Sequence, residues 1–275
     1  MLGTIVYKSI ERKLGGIMTD KKIVFFDIDD TLLDVNKEIP SSAKQAIVEL
    51  KSLGHEVAIA TGRAPFMFEN IREELDIDTY VSCNGQYVVL RNEVIYDRAL
   101  DEDALFMLTE LALEHEHPVL YVDAQDMRAN VPEENLLRTS VGQHKMFIPQ
   151  HDPFFYQNRK IYQALLLCHE EEEKYYETVF KAFDFIRCGI DATDVVPSGG
   201  SKAVGVAILT ERLGIPLEHQ YAFGDALNDV NMLKNIPNSV AMGNGLPEAK
   251  EAAKYVTKRV EEDGILHGLQ MVGLL

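Results

Sequence analysis

The sequence predicts an α/β fold, a parallel-sheet core interrupted by an inserted α+β domain. Three observations lead there. Short apolar runs alternate with helix-period segments through the first third of the 275 residues. That rhythm breaks after Asn84-Gly85 into hairpin-like runs, and it resumes near Ser201.

Ile23-Val24-Phe25-Phe26 is apolar throughout, as a strand buried on both faces must be. Pro40-Ser41-Ser42 opens a helix carrying Ala43, Ala46, Ile47, Leu50 and Leu53 at helical spacing, and Gly54 stops it. A strand at 57–60, a helix at 66–75 and a strand at 80–82 follow. Residues 86–90 and 94–96 then read as a hairpin, 105–112 as a helix and 119–122 as a strand. The stretch 124–157 is turn-rich, with a helix expected near 133–138. Strands are expected at 161–168 and 184–187, flanking a helix at 170–182. Its Glu170–Glu173 run reads as a solvated helix start favoured by the N-terminal dipole. The closing segment gives helices at 201–213, 230–233, 247–253 and 264–272, with strands at 221–223, 239–242 and 255–256. The expected division is an extension at 1–19, a core from 20–85 and 193–275, and an inserted domain at 86–192.

Lys and Arg total 27 against 44 Asp and Glu, a net charge of -17, which disfavours nucleic acid and anionic membrane surfaces as partners. The three cysteines, Cys83, Cys168 and Cys188, have no metal-ligand spacing and read as reduced thiols of a cytoplasmic protein. No apolar run approaches the ~18 residues of a membrane helix, and the first twenty residues lack a signal-peptide core. Met18 follows Gly15-Gly16-Ile17, and two glycine codons can spell a purine-rich ribosome-binding sequence. The native start is therefore expected at Met18, with the preceding residues as translated leader. Intact mass of protein made from the natural transcript should lack them; a mass that includes Met1 would contradict this.

Four clusters carry candidate chemistry. Asp27-Ile28-Asp29-Asp30-Thr31 directly follows the first strand, where open α/β sheets bind ligands. Residues two apart on extended backbone point the same way, so Asp27 and Asp29 can converge, and a hard cation relieves their repulsion. Thr61-Gly62-Arg63 ends the second strand, where a hydroxyl and exposed backbone amides make a small phosphate cradle; Arg63 is free to hold substrate or meet the insertion. Ser201-Lys202 opens a helix, and a cation there neutralises phosphoryl oxygens. Gly224-Asp225-Ala226-Leu227-Asn228-Asp229 follows another apolar strand and sets Asp225 and Asp229 one helical turn apart. Each cluster has a plainer reading as a cap, a turn or a solvated surface. Their order and matching placement favour a single site.

In that order the clusters resemble the four motifs of the haloacid dehalogenase-like (HAD) phosphatase superfamily. Asp27-Ile28-Asp29-Asp30-Thr31-Leu32 is similar to motif one, Thr61-Gly62-Arg63 to motif two, Lys202 to motif three and Gly224–Asp229 to motif four. Asn84-Gly85, Gly199-Gly200-Ser201-Lys202, Val240-Ala241-Met242-Gly243-Asn244 and Asp263-Gly264-Ile265 resemble its Cof-like branch. The resemblance spans about Lys22 to Leu275 and implies a Rossmann-like core with a large α+β cap between motifs two and three. It further implies a phosphatase acting on a small phosphorylated substrate, with Asp27 as nucleophile and Asp29 as general acid/base. Mg²⁺ would be held by Asp27, Asp29 and Asp225, with Asp229 orienting the metal shell. Thr61, Gly62, Lys202 and Asn228 would hold phosphate, and Arg63 and Asn84 would be substrate or cap contacts. Arg128, His144 and Lys145 are further candidates from the cap. Many relatives have glycine at the positions of Asp30 and Ala203, and the role of Asp30 is open. A phosphomutase would share the intermediate. A phospho-receiver module would share the strand-end acids, threonine and lysine, but is much shorter and has no cap. The resemblance does not identify the substrate or the oligomeric state.

Overall fold

The computed structural model describes residues 21–136 and 148–275. The expected extension at 1–19, the start at Met18, His144, Lys145 and the end of the 133–138 helix lie outside the described residues. The large sheet has eight strands in the order β14-β13-β12-β1-β2-β3-β4-β5. Its centre is β12 (Gln220–Gly224), β1 (Ile23–Phe26) and β2 (Glu56–Ala60), paired in parallel register with Phe26 opposite both Phe223 and Ile59. All four β1 residues are buried because successive side chains enter different cores. Val24 and Phe26 pack with Ile47 and Leu50 of α1 (Ser41–Ser52), Ile71 of α2 (Glu69–Leu75) and Leu269 of the terminal helix Gly264–Met271. Ile23 and Phe25 pack on the other face with Val206, Leu209, Met232 and Leu233.

β3 (Tyr80–Ser82) continues the parallel series, and the chain then reverses. The expected hairpin is present as β4 (Tyr87–Leu90) and β5 (Glu93–Asp97), but it extends the large sheet rather than belonging to the insertion. Burial explains this. Val88 lies in one core and Val89 in the other, so both faces of β4 are covered by the large-sheet layers.

The second sheet has six strands, β10-β11-β9-β6-β7-β8. After α3 (Glu102–Glu114) it comprises β6 (Val119–Val122), β7 (Met127–Ala129), β8 (Gln150–His151), β9 (Gln163–Leu166), β10 (Phe183–Gly189) and β11 (Ala192–Pro197). A short helix, α4 (Glu133–Leu136), follows β7, and α5 (Glu170–Val179) precedes β10. The sequence reading returned 193–197 to the core, whereas β11 sits between β10 and β9, with all six residues buried. One face of this sheet packs on α3 and α5 through Tyr121, Ala164, Leu166 and Val195. The opposite face, with Leu120, Val122, Met127 and Ala192, packs with Ala64 and Cys83 of the large-sheet unit. The acidic start of α5 is only partly a solvated face, because Glu173 is buried and pairs with Arg187.

The large sheet is completed by α6 (Lys202–Leu213), α7 (Val230–Asn235), β13 (Asn238–Ala241), α8 (Pro247–Ala252), β14 (Tyr255–Val256) and α9 (Gly264–Met271). Cys83, Asn84 and Gly85 at the chain reversal all take left-handed φ, at 49°, 51° and 93°. A Cβ on Gly85 would stand 2.0 Å from the Ser201 carbonyl oxygen, at the start of α6. The reversal is thus pressed onto the turn that carries Lys202. Gly85→Ala should cost about 3 kcal/mol or more of stability, through overpacking and φ strain together. An unfolding midpoint equal to the wild type's would contradict the close approach.

Candidate active site

Because β12, β1 and β2 are neighbours, the residues that follow them share one pole of the sheet: Asp225, Asp27 and Thr61. Lys202 arrives from the first turn of α6, where Ser201 caps the helix by accepting from the Val204 amide. Lys202 is only 1 % exposed, so its charge must be matched inside the protein. Its Nζ lies 2.5 Å from Asp27 Oδ1 and 2.7 Å from Asp229 Oδ1. The other Asp229 oxygen accepts from the Asp225 and Ala226 amides at 2.9 and 3.0 Å. Asp225 accepts from the Thr31 hydroxyl at 2.8 Å. One ligand atom from each of Asp27, Asp225 and Asp229 falls within 4.8 Å of the others, all three residues being buried, and such a group could hold a metal ion.

The electrostatics follow from three acids sharing one ammonium. Burial works against the charged amine of Lys202, but Asp229 and Asp27 hold it above the usual lysine range. Burial lifts Asp27 well above the usual carboxylate range; Lys202 opposes the rise and Asp229 and Asp225 add to it. Asp225 is pushed up to about 7, again chiefly by burial, against the Thr31 hydrogen bond. Asp29 behaves differently. Burial would raise it, yet hydrogen bonds and charge from Arg63 and Lys37 hold it below the usual range.

Asp29 does not touch Lys202's pair of acids. It forms a bidentate pair with Arg63, Nε to Oδ2 at 2.8 Å and Nη2 to Oδ1 at 2.6 Å, and Lys37 Nζ lies 3.0 Å from Oδ1. Arg63, expected as a substrate or cap contact, lines the cleft and is held by Asp29 and the Met67 carbonyl. The Thr61 hydroxyl accepts from the Arg63 amide at 3.1 Å. Asn84 reaches the second sheet, donating to Gln163 and Asp194, and accepts from Asn228. Arg128 pairs with Asp126. Asp30 has φ 57°, a left-handed conformation that aspartate tolerates better than most residues and glycine best, and its carbonyl accepts from Asn244 at 2.6 Å.

Lys37, Gln163 and Asp194 were not singled out from the sequence, and Thr31 and Asn244 stood there only within motifs, with no role of their own. Gln163 and Asp194 did leave a signal, each being polar within an otherwise buried strand. Between the two sheets lies a cleft of about 1820 Å³, lined by Asp27, Thr61 and Arg63 on one side and Gln163, Ile186 and Asp194 on the other.

Residues 24–269 match the family model of haloacid dehalogenase-like hydrolases. The chain belongs to that family. YkrA of Bacillus subtilis (strain 168), which carries a provisional phosphatase name, is 44% identical over 93% of this chain and 99% of its own. YitU of the same organism, named as 5-amino-6-(5-phospho-D-ribitylamino)uracil phosphatase, is 27% identical over 92% of this chain and 97% of its own. The solved structure of the HAD subclass IIB sugar phosphatase BT4131 superposes with a TM-score of 0.83 at 29% identity, covering 93% of this chain and 100% of that one. The chain is thus a HAD-type phosphatase of the Cof-like branch. Among the described residues no helix is long and apolar enough to cross a membrane.

The raised Asp225 sets a sign for stability against pH. Its folded value, about 7, lies above the ordinary 3.8, so between these values the native state binds more protons than the unfolded chain. The contribution of this group therefore falls as pH rises through that window. In metal-free buffer the unfolding free energy of Asp225→Asn should gain on the wild type between about pH 4 and pH 7. A difference that stays constant with pH would contradict the raised value.

Proposed function

We propose that the protein is a Mg²⁺-dependent phosphatase that hydrolyses small phosphorylated metabolites (sugar, nucleotide or cofactor phosphates) through an aspartyl-phosphate on Asp27. The observation that carries this reading is the buried Lys202 ammonium bridging Asp27 and Asp229 beside Asp225. The donor set fits a hard cation. All ligands are oxygens, and Asp229 has both oxygens committed, to Lys202 and to two amides, which leaves direct coordination to Asp27 and Asp225. Mg²⁺ would be held by those two carboxylates and the Asp29 main-chain carbonyl, and it supplies charge neutralisation to the transferring phosphoryl group.

The residues divide the work. A carboxylate oxygen of Asp27 attacks phosphorus as the bond from phosphorus to the leaving oxygen breaks, and the Asp29 carboxyl gives its proton to that oxygen. Asp29, now a carboxylate, takes a proton from water. The water oxygen attacks the same phosphorus, the bond to Asp27 breaks, and inorganic phosphate leaves. Lys202, Thr61, Gly62 and Asn228 hold the phosphoryl oxygens while this happens. Arg63 and Lys37 favour the ionised form of Asp29, the form the second half needs. A substrate phosphate beside Arg63 would compete for its guanidinium and free Asp29 to carry the proton of the first half. The second sheet offers Leu165 and Ile186 to the cleft and its β10–β11 turn offers Ile190, which suits a leaving group with an apolar face.

Asp27→Asn should abolish turnover, a loss of about a thousandfold or more, while retaining the unfolding midpoint of a folded protein. EDTA should stop phosphate release from p-nitrophenyl phosphate, and added Mg²⁺ should restore it. A near-native rate in Asp27→Asn, or full activity in EDTA, would refute the mechanism.

A further inference from the structure

A short relay of side chains joins the second sheet to the phosphate end of the cleft. Asp194 on β11 and Gln163 on β9 are both buried and line that cleft. Asp194 Oδ2 accepts from Asn84 Nδ2 at 2.8 Å, and Asp194 Oδ1 accepts from Gln163 Nε2 at 2.9 Å. Asn84 Nδ2 also donates to Gln163 Oε1 at 3.1 Å, which closes a triangle. On its far side Asn84 Oδ1 accepts from Asn228 Nδ2 at 3.2 Å. Gly62 sits against this last pair, since a Cβ there would lie 3.1 Å from Asn84 Oδ1 and 3.3 Å from Asn228 Nδ2.

The donor and acceptor chemistry makes the relay directional. Both Asp194 oxygens accept, from Asn84 and Gln163, so the nitrogen of the Asn84 amide faces Asp194. Burial pushes the Asp194 carboxyl up to about 7, and above that pH, as a carboxylate, it only accepts. The Asn84 oxygen then faces Asn228, and an amide oxygen also only accepts. Asn228 must therefore present its nitrogen to Asn84, which leaves one N–H of that amide for a phosphoryl oxygen. The Asn84 backbone is pinned as well, in a left-handed conformation with its amide donating to the Thr61 carbonyl at 3.2 Å.

We propose that Asp194 is a positioning residue that, through Asn84, fixes the orientation of the Asn228 amide in the phosphate pocket. The pocket is then complete only when the second sheet is seated on the core. This rests on the reading of Asn228 as a phosphate-holding residue.

The test is a double-mutant cycle of Asp194→Asn with Asn228→Ala. It uses kcat/KM for two esters of unlike leaving group, p-nitrophenyl phosphate and a sugar phosphate, together with inhibition by inorganic phosphate. Asp194→Asn should lower kcat/KM about tenfold, by the same factor for both esters, and weaken phosphate inhibition. In the Asn228→Ala background it should add less than about twofold. A loss that depends on the leaving group would make Asp194 a substrate contact and overturn the proposal. An undiminished loss in the Asn228→Ala background, or no loss at all, would also overturn it. If Asn228→Ala alone leaves phosphate inhibition unchanged, the phosphate role of Asn228 fails and the proposal fails with it, while a dead Asp27→Asn would still uphold the phosphatase reading. Should Asp194→Asn not fold, Gln163→Met breaks the same triangle from its other corner and is read by the same cycle.

Discussion

The buried ammonium of Lys202 is the interaction on which the rest of the site depends. Without it, Asp27 and Asp229 would be buried carboxylates packed together with no counter-charge, a costly arrangement. With it, one oxygen from each acid is pinned within 2.7 Å of a single cation. The two amides that hold the other Asp229 oxygen fix the loop after β12, so Asp225 is placed by the same anchor. Burial is the main reason that Asp27 and Asp225 are raised, and the neighbouring acids add to it; three acids for one cation make a divalent ion the natural complement.

The fold supplies this geometry cheaply. Adjacent parallel strands bring the ends of β12, β1 and β2 together, although Asp27 and Asp225 are far apart in sequence. The chain leaves the core after β5 and returns at α6, where Lys202 stands one residue inside the helix. The reversal after β3 and the return at α6 are locked to each other by the close approach of Gly85 to Ser201. A motion of the second sheet would therefore be felt at the reversal at residues 83–85, which meets that sheet through Cys83 and Asn84, and through Gly85 at the start of α6.

The central strands and the four acidic or basic clusters were legible because each obeys a local rule. A fully apolar run such as Ile23 to Phe26 needs two covered faces, and charged residues immediately after such runs need a purpose. The boundaries of the insertion were not legible. A hairpin joined to β3 and one joined to β6 look alike in sequence, and only the double burial of Val88 and Val89 decides between them. β11 was missed for a related reason, since Asp194 interrupts its apolar pattern while being satisfied by Asn84 and Gln163 from elsewhere in the chain. The pairing of Arg63 with Asp29 was equally hidden, because it joins residues on separate loops. Asp30 needed a backbone angle to be understood, and no side-chain pattern carries one.

The central claim is covalent: phosphate passes through the side chain of Asp27. Acyl phosphates are reduced by borohydride, which would convert a phosphorylated Asp27 to homoserine. The direct measurement is mass spectrometry of the peptide containing Asp27 after borohydride quenching of Asp29→Asn enzyme turning over p-nitrophenyl phosphate with Mg²⁺. The account predicts homoserine at position 27, dependent on substrate. Reduction at another aspartate, or none at Asp27 while phosphate is being released, would contradict it.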